Sequence, residues 1–440
     1  MKTSRPPPWE WPEHSAALVE RYVRDGDYGT ETVPGRIERW ANKQPETPAL
    51  IDQNGVTTYA DLHAAMETYA SALLSRGVET GDRVALQLPS DARFAAAYLG
   101  AVRAGAVGML VHMAYGPSDI SPLVRHAHPY AAIVAPKTNA YDPSASFADH
   151  ADGKGLLDHI LLTDDLDQRP AASQPARSAP PLTAGDPLTI GFTSGTVAAP
   201  KAVVASHRMM LGNNDRMAPA LGIGPGTRVV SASPYSHLFG LGVLSTVLSA
   251  GATMVVMPPF TPDGMVSALA DHDAEILFAA PAHATAILAS RPAKIGAISA
   301  LRRSYLGGAS VAPELAAAWE AAVPGDGHRA GQLFGMTETM MTLTTPVDWP
   351  AARRHGGVGV PQSGLEVRIV DEDGAMAAAD EEGLLQVRGY SVFAGYAGNP
   401  METKASLDTD GWFTTGDLAR RTKDGDFVIT GRTKDVINRG

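Results

Sequence analysis

The alternation of short apolar runs with helical patterns sets the tightest limit on what this chain can fold into. Between Ala49 and about Pro136, Asp82 to Leu88 and Ala106 to Val111 have the length and composition of buried strands. Ala92 to Ala104 between them is alanine-rich. Upstream, Leu62, Met66, Tyr69 and Leu73 recur at i, i+4, i+7 and i+11, which puts four side chains on one face of a helix. This is β-α-β alternation, and it requires a parallel sheet with helices on its faces. A second series comprises Leu188 to Gly191, Arg228 to Ser231, Thr253 to Met257, Glu275 to Ala279 and Ser304 to Leu306, with a helix expected over about Ala312 to Ala322. From Glu366 the character changes to short strands with turn signals: Glu366 to Val370, Leu384 to Val387, and Phe427 to Thr430 after Asp424-Gly425. The expected fold class is α/β, with two βα-layered parallel-sheet subdomains and a small β-rich subdomain. The expected divisions are 1–185 (with an N-terminal arm and a Pro/Ala/Ser-rich linker over Arg169 to Pro181), 186–345, 346–432 and a terminal segment 433–440.

Phe192 to Lys201 reads Phe-Thr-Ser-Gly-Thr-Val-Ala-Ala-Pro-Lys, after an apolar run and before a stretch expected to be helical. The hydroxyls of Thr193, Ser194 and Thr196 surround Gly195, whose missing side chain lets backbone N–H groups approach a ligand, and Lys201 follows five residues after Thr196. Together they form a cradle for polyphosphate oxygens. It is not the Walker loop, in which glycine precedes the lysine and Ser or Thr follows; here Pro200 and Ala202 flank it. On its own, the same stretch reads equally well as a Ser/Thr-rich strand-to-helix turn.

Composition narrows the partners. A chain of 440 residues, 44% hydrophobic, has enough apolar surface for at least two packed domains. A net charge of −11 argues against a broad surface for nucleic acid or anionic membrane, so a bound polyanion must meet a local cationic site. The absence of cysteine removes disulfides, thiolate nucleophiles and Cys-ligated zinc. Met1 to Pro12 has no apolar signal-peptide core and no run approaches membrane length, so the expected location is cytoplasmic, with neither nucleic acid nor membrane as partner.

Three further signals follow the loop in order: Phe334-Gly335-Met336-Thr337-Glu338, Thr414-Thr415-Gly416-Asp417 and Gly431-Arg432-Thr433-Lys434-Asp435. As an ordered set, from about residue 30 to the last residue, the chain resembles the adenylate-forming superfamily of acyl- and aryl-CoA synthetases, peptide-synthetase adenylation domains and firefly luciferase. The resemblance implies ATP and Mg²⁺, with CoA as a further cofactor, and a small carboxylic acid activated as an acyl-adenylate with release of pyrophosphate. A carboxylate attacking the α-phosphorus is an anion meeting an anion, so charge neutralisation and in-line positioning carry the chemistry. On this resemblance Lys201 belongs to the phosphate site, Glu338 is a hard oxygen ligand for Mg²⁺, and Thr337 donates to the α-phosphate. Asp417 accepts the ribose hydroxyls and Arg432 contacts ribose and phosphate. Gly307, Gly308, Ala309 and Ser310 form a backbone strip on the adenine, with Phe334, beside Gly335, on its other face. Val197, Ala198 and Ala202 depart from the family loop, which carries Thr or Ser at the first position and glycine at the other two. The segment from Gly431 to Gly440 resembles the join to a mobile C-terminal lid, with Lys434 at the hinge; no lid follows, and slowed adenylate formation is expected.

Pro234-Tyr235-Ser236-His237-Leu238-Phe239-Gly240 resembles the acid-binding motif in its acyl- and aryl-CoA synthetase form, in which this histidine is present. The aspartate that holds the α-ammonium in amino-acid-activating domains is missing, so a free α-amino acid would lose a charge-assisted partner worth roughly 1.5–3 kcal/mol. The pocket expected from the resemblance uses His237, Phe239, Gly240, Gly307, Leu333 and Met340, with Met341 alongside. Leu333 stands where related aryl ligases often have glycine. A shortened apolar slot suits a flat ring better than a long alkyl chain, so an aryl or aryl-acrylic acid is expected. The acceptor is expected to be a thiol, of CoA or an acyl-carrier protein. Transfer to an amine or other small nucleophile, and a non-catalytic nucleotide-binding module, stay open at this level.

Overall fold

The structure is a computed structural model describing residues 9–138, 142–148, 150, 159–164, 178–193, 200–257, 259–290, 293–324 and 327–433. Three sheets organise it. In the first, Tyr396–Ala397 (β18), Lys201–Ser206 (β8), Pro187–Thr193 (β7), Val107–Leu110 (β4), Arg83–Gln87 (β3), Ala131–Val134 (β5) and His159–Leu162 (β6) lie side by side in that order. Strands β7, β4, β3, β5 and β6 run parallel, whereas β8 is antiparallel to β7 and β18 to β8. The central strands β3, β4 and β5 are buried at every residue, as strands covered on both faces must be. The helix Tyr59–Ser75 opens on a reciprocal cap between Thr58 and Asp61, and buries Leu62, Met66, Tyr69 and Leu73 as their spacing predicts.

The second sheet runs Val360–Pro361 (β15), Met340–Thr344 (β14), Arg329–Met336 (β13), Arg303–Leu306 (β12), Ile276–Ala279 (β11), Arg228–Ser231 (β9), Thr253–Val256 (β10), Pro48–Asp52 (β1) and Gly55–Thr58 (β2). Its core from β13 to β1 is parallel, and antiparallel hairpins finish both edges. The third sheet, Glu366–Val370 (β16), Glu382–Arg388 (β17), Phe413–Arg421 (β19) and Phe427–Arg432 (β20), is antiparallel throughout. Ile369, Leu385, Ala419 and Phe427 from this sheet close over Leu343 of β14.

Two features differ from the sequence reading. The sheets exchange strands along the chain: β1 pairs with β10, Leu50 opposite Met254, and β7 pairs with β4, Gly108 opposite Thr189. A linear split at 185/186 therefore cuts across both sheets. An apolar run records that a strand is buried, not which sheet buries it. The phosphate loop also joins a hairpin rather than a strand to a helix. Residues 201–206 form β8, with Thr193 opposite Lys201, and the helix His207–Leu221 starts only after Ser206 caps it. Ala202 to Ala205 are buried residue after residue, which a helix with one wet face would not allow.

The N-terminal arm clamps the third sheet. The helix Ala16–Arg24 packs Tyr22 with Tyr28, Leu365 and Tyr390, while Arg21 and Arg388 share Glu366 at 2.8 and 2.6 Å. No helix among the described residues is long and apolar enough to cross a membrane.

Candidate active site

The β7–β8 hairpin brings Thr193 and Lys201 opposite each other at the mouth of the expected phosphate loop. Ser194, Gly195 and Thr196, with Val197 and Ala198, lie outside the described residues, as does Lys434. Ala202 sits in extended strand, opposite Phe192 and Ala397, where alanine is as good as glycine or better. The ammonium of Lys201 forms an ion pair with Glu402 and lies 4.9 Å from the ring centroid of Tyr396.

Tyr396 connects this corner to the next. Its hydroxyl donates to Glu338 Oε1 at 2.9 Å, and the Phe393 N–H donates to the Glu338 carbonyl at 2.8 Å. Glu338 is only 4% exposed. Burial pushes its carboxyl above the usual range, against the pull of the Tyr396 hydrogen bond, Lys201 and Arg432. The turn that carries Thr337 and Glu338 joins β13 to β14 and is tight: Met340 has φ +55°, and a Cβ on Gly335 would sit 2.0 Å from the Met340 carbonyl oxygen. The half-buried Thr337 faces β7. A Cβ on Gly191 would lie 3.0 Å from the Thr337 methyl and 2.8 Å from Leu238, so glycine is what lets the turn and the helix Leu238–Ser249 close on that strand.

Asp417 and Arg432 are direct register partners on β19 and β20. The Arg432 Nε–H donates to Asp417 Oδ1 at 2.7 Å, and the Asp417 N–H donates to Thr415 Oγ1 at 3.0 Å. Asp417 is 2% exposed, which is not the condition of a solvated loop aspartate, while the Arg432 side chain is 60% exposed.

Gly308, Ala309 and Ser310 are exposed after β12, and Gly308 has φ +82°. Leu333 is 3% exposed and packs on Gly307, where a Cβ would meet its Cδ1 at 2.5 Å. Phe334, next along β13, turns instead toward the third sheet and packs, half-buried, on its apolar cluster. This alternation follows from the strand period. Phe239 and Met340 are half-buried against the main core.

His237 is the N-cap residue of its helix, at the C-terminal ends of the second sheet's strands. His237 is exposed to solvent. His112, two residues past β4 of the first sheet, faces it edge-on with ring centroids 5.5 Å apart. Desolvation and His112 both lower the pKa of His237. The His112 Nδ1 accepts the Ala114 N–H at 3.1 Å, which leaves Nε2 as the protonated nitrogen of its neutral form.

Sequence reasoning missed Tyr396, Glu402 and His112. Gly395-Tyr396 and Pro400-Met401-Glu402-Thr403 stand between 11 and 19 residues before Thr414, but a tyrosine in a two-residue strand carries no pattern of its own. For the Mg²⁺ that the resemblance implies, the described residues hold no group of three or more His, Cys, Asp or Glu side chains able to cage a metal. A single buried carboxylate, oriented by Tyr396, fits an ion that takes its other ligands from phosphate oxygens and water.

Comparison with known proteins identifies the family. The model of the AMP-binding enzyme family matches residues 37–397. The 2-hydroxy-7-methoxy-5-methyl-1-naphthoate–CoA ligase of Streptomyces carzinostaticus is 29% identical, over 98% of this chain and 79% of its own length. The salicyl-AMP ligase/salicyl-S-ArCP synthetase of Mycobacterium tuberculosis is 28% identical, over 95% and 76%. Among solved structures, apo MbtA of Mycobacterium smegmatis superposes with a TM-score of 0.84 at 27% identity, covering 98% of this chain and 81% of that one.

Proposed function

Because the chain belongs to the AMP-binding enzyme family, we propose that it is an ATP-dependent acid–thiol ligase that activates a carboxylic acid as an acyl-adenylate and passes the acyl group to a thiol of CoA or a carrier protein. The observation that carries this reading is the convergence of Lys201, Thr337 and Glu338 around β7 and Tyr396, together with the pairing of Arg432 to the buried Asp417.

The chemistry divides among these residues. Asp417 accepts the ribose hydroxyls, and Arg432, fixed by the same carboxylate, reaches ribose and phosphate. Gly308, Ala309 and Ser310 offer an exposed strip to the adenine. Lys201 neutralises phosphate oxygens, and Thr337 donates a hydrogen bond to the α-phosphate as the acid's oxygen attacks. Glu338 would hold Mg²⁺, which when bound spreads the charge of the phosphates. His237 lines the approach of the acid; with its pKa lowered it is neutral at pH 7 and brings no full positive charge to hold the carboxylate away from the phosphorus.

An aryl or aryl-acrylic acid is the favoured substrate class. Leu333 fills the space beside Gly307, which would shorten an acid pocket at that point, and the named substrates of the two curated relatives above are aromatic acids. An ATP-consuming role fits the cytoplasmic location expected from the sequence. The test is a pyrophosphate-release screen over aryl, alkyl and amino acids with MgATP. Release that depends on an aromatic acid is expected. ATP binding with no acid-dependent release from any member would overturn the proposal.

A further inference from the structure

Lys201 does not stand in open solvent awaiting a triphosphate. Its ammonium is taken by Glu402, on the helix Pro400–Ser406, and lies against the face of Tyr396; the Tyr396 hydroxyl is given to Glu338. The four side chains come from β8, β18, that helix and the β13–β14 turn, so the contact chain Glu402–Lys201–Tyr396–Glu338 ties four separate elements together. We infer that Glu402 is the resting counter-ion of Lys201, displaced when nucleotide phosphates arrive, and that Tyr396 is a positioning residue linking this lysine to the metal-ligating carboxylate. This rests on the reading of the ATP site given above.

The two halves of the chain differ in strength, and the difference sets the order of events. Glu402 is 39% exposed on its side chain, and an ion pair so open to solvent is screened and readily exchanged. A triphosphate carries several negative charges and outcompetes one such carboxylate. Tyr396 is instead buried and pinned by its strand register, Tyr396 opposite Val203 and Ala397 opposite Ala202. Its hydrogen bond to a buried, charged acceptor is of the strong kind. It holds Glu338 Oε1 in place, so the carboxylate is presented with that oxygen anchored. When Glu402 lets go, Lys201 can swing while Tyr396 and Glu338 keep their geometry.

The test is calorimetric titration of ATP into the whole chain, without acid, in Mg²⁺ and in EDTA. Glu402→Gln removes the competing charge and is expected to tighten ATP binding about three- to tenfold in both buffers. Unchanged or weaker binding would overturn the counter-ion role. Tyr396→Phe keeps the ring under Lys201 and removes only the hydroxyl; it is expected to weaken MgATP binding about tenfold while leaving ATP in EDTA within about twofold. An equal loss in both buffers would reduce Tyr396 to a structural residue and overturn the link. If Tyr396→Phe does not fold, Glu402→Gln, at an exposed site, still decides the proposal. Wild-type chain that binds no ATP would instead overturn the assigned function, so the two failures are distinguishable.

Discussion

Glu338 and Leu333 stand five residues apart on the β13–β14 hairpin and fail in different ways when changed. Glu338→Gln keeps the shape and the Tyr396 contact but removes the charge that would hold the metal. A loss of roughly a hundredfold in kcat/KM for MgATP is expected, with the KM of the acid little changed. Unaltered Mg²⁺ dependence in the variant would remove Glu338 from the site. Leu333→Gly opens the slot beside Gly307, so larger ring substituents are expected to gain kcat/KM relative to small ones. Its cost in stability is about 3–5 kcal/mol, from the lost packing and the added chain freedom. An unchanged preference among acids would mean that Leu333 only packs. The sequence singles out Glu338 because a hard carboxylate stands in a motif that resembles a nucleotide site, and Leu333 because it departs from the glycine often found there. Tyr396 was not, since nothing in a lone tyrosine shows that its hydroxyl ends on a glutamate 58 residues earlier.

Elements meet at His207. Its imidazole is fully buried and Nδ1 accepts the Val33 N–H at 3.1 Å, satisfying a donor at the start of the helix Val33–Lys43. Burial lowers its pKa to about 4, against about 6.5 in an unfolded chain. Since the folded value is the lower one, the stability this residue supplies is present above pH 6.5 and is lost as pH falls toward 4, by up to about 1.4 kcal/mol per pH unit. Urea unfolding at pH 7, 6 and 5 is expected to show that loss, and His207→Gln, which keeps an acceptor but does not titrate, is expected to flatten it. Equal slopes in the two proteins would refute the assignment. The helix Tyr59–Ser75 was readable from its periodicity, but the strand after the phosphate loop was not. Ala202 to Ala205 carry no alternation, and a short apolar run of that kind is strand or helix until its neighbours are known.

At the level of the whole molecule, the exchange of β1 and β7 between sheets ties the two α/β layers into one cooperative body. A fragment of residues 1–185 lacks β10, on which the β1–β2 hairpin docks, and β7, which covers the outer side of β4, and it is expected to show no cooperative thermal transition by circular dichroism. A sharp transition in that fragment would mean that the first layer is an independent domain. The fold class could be read from the sequence because buried parallel strands announce themselves, whereas the strand exchange lies in long-range pairing that no local pattern records. The same pairing has a temporal consequence. The outer edge of β8 is covered by β18, whose Tyr396 is made 193 residues after its partner Val203. At ribosomal speeds of about 5–20 residues per second, an apolar strand edge therefore stays open on the nascent chain for about 10–40 s, a template for mispairing that a holding chaperone would have to mask until the two-residue strand arrives.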